Sequence, residues 1–180
     1  YRFVPTRRTM DGHPDLNEGT LQVAIVDAQG MVSWQTVPDP RMQRMVPTRM
    51  QVPESTAFDG GEGIWFHRGV IYFSSKGDNR VRAYDIRSGR MTVLYDGRVD
   101  PRPIRGVDNL TVSCCGDVLV AEDGGSMQIV AILPSGQFKP LVQQVRSELP
   151  QRVDHRQHFQ FSRCIPSLSV QQALAVVCHR

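Results

Sequence analysis

The residues best placed to do chemistry in this sequence are acidic and sit beside glycines. They fall in three motifs: Gly60-Gly61-Glu62-Gly63, Gly106-Val107-Asp108-Asn109 and Ala121-Glu122-Asp123-Gly124-Gly125. Carboxylates and an Asn amide that converge from separate segments offer the hard oxygen donors that calcium takes, six to eight at roughly 2.3–2.6 Å. Flanking glycines let a backbone come close and add its carbonyls. The competing reading is turn chemistry, because Asp and Asn next to Gly are common turn formers. Two residues resist that reading. Glu62 is of a type not favoured in turns, and Glu122 ends an apolar strand, where a charge needs a partner. Asp78-Asn79 lies in a hairpin slot between Ser74 and Val81 and is read as a plain turn.

Other constellations carry less. There is no Walker loop, no Gly-x-Ser-x-Gly elbow and no Cys-x-x-Cys. His155-x-x-His158 with Cys164, Cys178 and His179 can be drawn as a zinc site, but it lacks regular spacing and a glycine knuckle. Cys114, Cys115, Cys164 and Cys178 form no disulfide framework and read as mostly free thiols. Lys76 and Arg80 read as solvated hairpin charges, with an anionic ligand as the alternative, and His67 reads as a hairpin residue.

The elements that must position the acids are short strands. Leu21 to Val26, Val32 to Val37, Val70 to Ser74, Val81 to Tyr84, Met91 to Tyr95, Leu110 to Ser113, Val118 to Ala121, Gln128 to Leu133 and Phe138 to Val142 are β-branched or aromatic and closed by Gly, Asp, Asn or Pro. The segment Pro38 to Pro53 has no periodicity and reads as a connecting loop. Laid on itself, the chain matches Gly69-Val70-Ile71-Tyr72-Phe73 to Gly116-Asp117-Val118-Leu119-Val120, and Asp85-Ile86-Arg87-Ser88-Gly89 to Ile132-Leu133-Pro134-Ser135-Gly136, both at an offset of 47. Asp27-Ala28-Gln29-Gly30 repeats the same turn upstream. A period of this length with four short strands per unit is the signature of propeller blades. The expectation is an all-β chain, a partial β-propeller of two to three four-stranded blades in which the first strands carry the acidic motifs to a central channel. Four or more blades close a propeller, so the chain reads as incomplete. Its unpaired blade edges invite self-association.

Composition excludes other classes. At 180 residues, 40% hydrophobic and 22% charged, the chain is neither disordered nor collagenous. A net charge of +3 from interspersed residues is no nucleic-acid footprint, and Arg7-Arg8 reads as a solvated turn. No apolar run reaches the roughly 20 residues that span a bilayer. All 15 glycines lie between Gly12 and Gly136. The blades are therefore assigned to 1–149, and 150–180 to an irregular tail that reads as an unrelated or frame-shifted segment. Within it only Ser169 to His179 could form a short helix.

The strings GGEGIWFHRGVIYFSSKGDNRVRAYD and GVDNLTVSCCGDVLVAEDGGSMQIVAILPSG, with Pro53-Glu54-Ser55-Thr56-Ala57-Phe58 upstream, resemble the PhoX-type alkaline phosphatase family over roughly Tyr1 to Leu149. That resemblance implies a six-bladed propeller, exported by bacteria, that holds calcium and iron in its channel and hydrolyses phosphate monoesters. By motif match it implies Glu62, Asp108, Asn109, Glu122 and Asp123 as metal ligands. The family's N-terminal blades, with further ligands, have no counterpart in this sequence. Glu62-Gly63-Ile64-Trp65 also resembles lactonase and gluconolactonase-like propellers. A non-catalytic binding propeller is the third reading.

Overall fold

The structure, a computed structural model, describes residues 1–143. The 150–180 tail, its short helix and the His155 to His179 cluster lie outside the described residues. Within those residues every regular element is a strand except one 3-10 turn, Thr48–Met50. No described helix is long and apolar enough to cross a membrane. The chain divides into two units: Tyr1–Ala57 with Asp85–Met91, and Phe58–Tyr84 with the residues from Thr92 onward.

The first unit holds a three-stranded antiparallel sheet, β1 (Arg2–Pro5), β2 (Gly19–Val26) and β3 (Val32–Thr36), in that order. The β2–β3 turn works as its sequence requires. Gly30 takes a φ of 80°, and the Asp27 carboxylate accepts the N–H groups of Gln29 and Met31. Val23, Val37 and Val52 are buried together, with Leu21 packed on them. The Pro38 to Pro53 loop is held by the Gln51 amide, which accepts the Asp39 N–H and donates to the carbonyls of Asp39 and Val46, each at 2.8 Å. Arg7 pairs with Asp15 at 3.0 Å and Glu18 at 3.2 Å, as a solvated turn residue does.

The second unit is organised by two four-stranded antiparallel meanders. One is β4 (Gly61–His67), β5 (Val70–Ser75), β6 (Arg80–Asp85) and β7 (Arg90–Asp96); the other is β8 (Val107–Val112), β9 (Val118–Glu122), β10 (Gln128–Ile132) and β11 (Phe138–Gln143). Each strand pairs with its chain neighbours, and β4 packs beside β8. Sheets of this kind with their first strands side by side are propeller blades, so the chain is all-β and carries a partial propeller. The two outer turns carry Gly89 and Gly136 at φ 67° and 80°, which accounts for the offset of 47 between them. Val81, Ile104, Val107, Val120 and Val130 are fully buried at the centre of the core.

The strand boundaries correct one expectation. β4 is a strand that the sequence pattern misses, and it contains Glu62, while β8 begins at Val107 rather than Leu110 and so contains Asp108 and Asn109. The strand at Val70 is the second of its blade. The cause is local. β4 lacks the alternation of a half-buried strand, since Ile64, Trp65 and Phe66 are all exposed. Cys115 is a free, exposed thiol. Cys114 is disulfide-bonded, against the free-thiol reading.

Candidate functional site at the bulge end of two blades

Both first strands slip register at the same place. Gly61 pairs with Ser75 and Ile64 with Phe73, while Val107 pairs with Glu122 and Leu110 with Val120. In each case the first strand spends one more residue than its partner, which is a β-bulge. The bulge resets the inside-outside alternation, so Val107 and Leu110 both point inward and Asp108 and Asn109 are left outside the core. Aligned on these registers, Glu62 is the counterpart of Asp108, and Gly63 of Asn109. Just upstream, Gly60 at φ 62° and Gly106 at φ 79° turn their carbonyls to the N–H groups of Lys76, at 2.7 Å, and Asp123, at 2.9 Å. Lys76 and Asp123 are therefore equivalent positions, each following the second strand of its blade.

These two residues form an ion pair across the blades, Lys76 Nζ donating to Asp123 Oδ2. Asp108 Oδ2 lies 3.7 Å from the same Nζ. The hydrogen bond to Asp123 raises the Lys76 pKa above the usual lysine value, and the charges of Asp123, Asp108 and Glu62 add to it against the opposing effect of burial. Two carboxylates thus flank one ammonium, and the charge of Glu62 acts on it as well. All of these groups reach solvent, Lys76 being 38% and Asp123 46% exposed.

Two small residues hold the acids in place. Ser74, buried at 1% exposure, accepts the Gly63 N–H at 2.9 Å and donates to the Asp108 carbonyl at 2.5 Å. One hydroxyl thereby ties both bulges together. A Cβ on Gly63 would lie 2.5 Å from the Leu110 nitrogen and 2.7 Å from Asn109 Oδ1, so only glycine lets β4 approach β8 this closely.

The remaining expected ligands face elsewhere. Asn109 Oδ1 accepts the N–H of Leu110 at 2.8 Å. Glu122 is 6% exposed; its Oε1 accepts the Arg105 N–H at 2.6 Å and its Oε2 has no partner among the described residues. Among those residues no three His, Cys, Asp or Glu side chains form a metal-holding group. Carboxylate oxygens suit calcium, but as arranged they do not fit a calcium or iron centre. Lys76 holds Asp123 and adjoins Asp108, while Asn109 and Glu122 are bound to backbone.

The sequence reading gave too little to two groups. Lys76, read as a solvated charge, is the centre of the cluster. Asp78-Asn79, read as a plain turn, is a structural joint. Asp78 accepts from Ser75 Oγ, Arg82 Nη2 and Arg80 Nη1. Burial pushes the Asp78 carboxyl up, yet the bonds from Arg82 and Ser75 and the charges of Arg82 and Arg80 outweigh it, leaving its pKa below the ordinary value. The Arg82 guanidinium, itself buried, lies over the rings of Phe58 and Phe73 at 5.3 and 5.9 Å. Asn79, at φ 50°, accepts the Val107 N–H at 2.8 Å and so joins the first blade to the second. The available signal was Arg80-x-Arg82 in an otherwise apolar strand with Asp78 just before it.

No family model and no curated protein matches the chain. Among solved structures it is similar to a streptogramin B lyase, with 26% sequence identity and a TM-score of 0.40, over 48% of this chain and 27% of that one. The match therefore spans little more than a quarter of the lyase's length.

Proposed function

We propose that the chain supplies two blades of a PhoX-type phosphatase propeller, with phosphate monoesters as the substrate class, in a bacterial protein that is exported. The observation that carries this reading is the acid-bearing bulge, built twice from the same glycine carbonyl contact and register slip, with Glu62 and Asp108 at equivalent positions. Bulges re-aim side chains and are over-represented beside active sites. The long motif strings through Asp85 and Gly136 support it from the sequence side. In such an enzyme any metal ions would have to be held by ligands from other blades, because the acids of these two are arranged around Lys76 and the backbone. Within these blades the side chains do something narrower: Ser74 fixes the bulges, and Lys76 partly balances three carboxylates. That leaves this end net negative and unable to attract a phosphate dianion alone. Further blades must supply the positive charge. Exposed Ile64, Trp65 and Phe66 on the edge strand β4 suit association with them.

The test is p-nitrophenyl phosphate hydrolysis, with calcium and iron supplied, by the 180-residue chain and by a chimera in which residues 1–143 replace the matching blades of a PhoX-type phosphatase. The chain alone is expected to be silent. The chimera is expected to hydrolyse the phosphate ester and no lactone, and to lose that activity with Glu62→Gln. A folded chimera that is silent, or that opens lactones instead, would overturn the reading. One observation favours a non-catalytic propeller as the second reading: the ion pair of Lys76 with Asp123, which occupies the acids internally.

A further inference from the structure

We propose that the Pro38 to Pro53 loop is a docking surface for an acidic segment of another protein, one that carries apolar side chains among its carboxylates. Three Arg-Met pairs stand on it: Arg41-Met42, Arg44-Met45 and Arg49-Met50. Binding there does not depend on phosphate-ester hydrolysis, so this reading and the phosphatase reading can fail separately.

Charge supplies the first argument. Arg41, Arg44 and Arg49 are exposed, and no guanidinium of the three makes a hydrogen bond or ion pair among the described residues. Other surface arginines are engaged: Arg7 with Asp15 and Glu18, Arg98 with Asp96, and Arg102 with Asp100. The loop's one acid, Asp39, accepts the Arg44 N–H at 2.7 Å, and the Arg44 charge acts on it only at longer range. Three planar forks with a single acid among them call for carboxylates from outside, which each fork can take bidentately.

The methionines supply the second. Met42 and Met45 stand at φ 55° and 59°, a conformation in which glycine or asparagine would be less strained. Their side chains nonetheless face water, together with Val46 and Met50. Within the fold such residues contribute no packing, whereas a flexible thioether at a fixed point on the surface suits the apolar side chains of a partner.

The loop is also built in advance. The Met42 N–H donates to the Asp39 carbonyl at 3.1 Å and the Met45 N–H to the Met42 carbonyl at 3.0 Å, so the first two pairs follow one another in successive turns. Gln51 ties the loop to Asp39 and Val46, and Val37 and Val52 are buried at its two ends. Little conformational freedom is therefore lost on binding.

Composition selects the partner. Surfaces that lie on a bilayer bring Trp, Phe or Leu, and the loop holds none of them. Three arginines against one aspartate fall short of a nucleic-acid face. The chain's own residues 144–180 have the wrong sign, with five arginines against one Glu and one Asp. An acidic protein segment matches both halves of each pair, with carboxylates for the forks and apolar groups for the thioethers.

The experiment is fluorescence anisotropy of a labelled peptide of Gly-Glu-Leu repeats titrated with the full chain, beside a peptide of Gly-Glu-Ser repeats and vesicles containing phosphatidylglycerol. The Gly-Glu-Leu peptide is expected to bind saturably and about tenfold more tightly than the Gly-Glu-Ser peptide. Arg41→Ser combined with Arg44→Ser and Arg49→Ser should abolish binding of both. Met42→Gly with Met45→Gly relieves the positive φ, so it should raise the thermal midpoint and yet lower affinity for the Gly-Glu-Leu peptide to that for the Gly-Glu-Ser peptide. That pairing of a firmer fold with weaker binding decides the matter even if the arginine variant fails to fold. No saturable binding, equal affinity for the two peptides, or full binding by the methionine variant would overturn the proposal. Binding to the vesicles and to neither peptide would overturn it in favour of a membrane surface.

Discussion

The first and second blades of the larger unit share a backbone frame and fill it with opposite chemistry. Both open on a left-handed glycine, slip register at a bulge and return a carbonyl contact to the residue after the second strand. In the first blade the polar groups are met by charge: Arg80 bonds Asp96, and Arg82 bonds Asp78 and Ser75 beneath two phenyl rings. In the second blade β9 and β10 bury Val118, Leu119, Val120, Val130, Ala131 and Ile132, and the buried charge, Glu122, keeps one oxygen without a partner. Glycine placement sets the frame, whereas the filling is free to vary. Equivalent positions in a repeat therefore need not do equivalent chemistry, as Lys76 and Asp123 show.

The comparison breaks most severely at Arg82. Replacing it with Met removes the guanidinium from a buried site, leaves Ser75 Oγ without its donor and leaves Asp78 with only Ser75 Oγ and the longer bond from Arg80. Breaking such a pair from one side costs about 3 kcal/mol, the low end of the buried range because Asp78 keeps some access to water. Urea unfolding of both proteins measures it. The pH dependence has a definite sign. Asp78 has a folded-state pKa below its unfolded value, so its contribution is present above roughly pH 4 and disappears as pH falls through the folded value. The gap between the two proteins should narrow in acid. A gap that widens there would assign the loss of stability to something other than this ion pair.

A smaller effect belongs to the place where the two bulges touch. The second blade carries Asn109 where the first carries Gly63, and the first cannot do likewise, because a Cβ on Gly63 would press on the Leu110 nitrogen and Asn109. Gly63→Ala is expected to cost about 2 kcal/mol by overpacking. It should also weaken the Ser74 bridge, since the Gly63 N–H must move away from that hydroxyl. Urea unfolding gives the cost, and slowed or hastened exchange of the Gly63-position amide proton reports the bridge. Unchanged stability would mean that the blades are free to separate at this point.

How much of this was legible in the sequence follows from which signals are local. The outer turns at Gly30, Gly89 and Gly136 announce themselves, because a turn residue at positive φ is written in the residue type. The strand β4 does not, since its glycines and Glu62 serve a bulge and its apolar residues face solvent, which erases the alternation. The acids could be picked out by their glycine neighbours, but their directions could not. One inserted residue flips every side chain beyond it to the other face, so the bulge position decides that Asp108 meets Lys76 and that Asn109 turns to its own backbone. Lys76 was least legible of all. Its partner Asp123 lies 47 residues away, and only stacked blades bring them together.

The smallest effect has the opposite sign, and it separates the two uses a buried carboxylate could have. Glu122 spends Oε1 on the Arg105 N–H and buries Oε2 with no described partner. Burying a charged oxygen unsatisfied is costly, and the amide of Gln keeps the acceptor while removing the charge. Glu122→Gln is therefore expected to leave the blade intact and to stabilise it by about 1 kcal/mol in urea at neutral pH. If Glu122 were instead the ligand of a bound ion, the same substitution would remove a charged donor and weaken the protein in the presence of that ion. Unfolding measured with and without calcium distinguishes the two. A gain of stability indifferent to calcium places Glu122 with the structural joint at Arg105, and a loss that appears only with calcium makes it the metal ligand that the motif match implies.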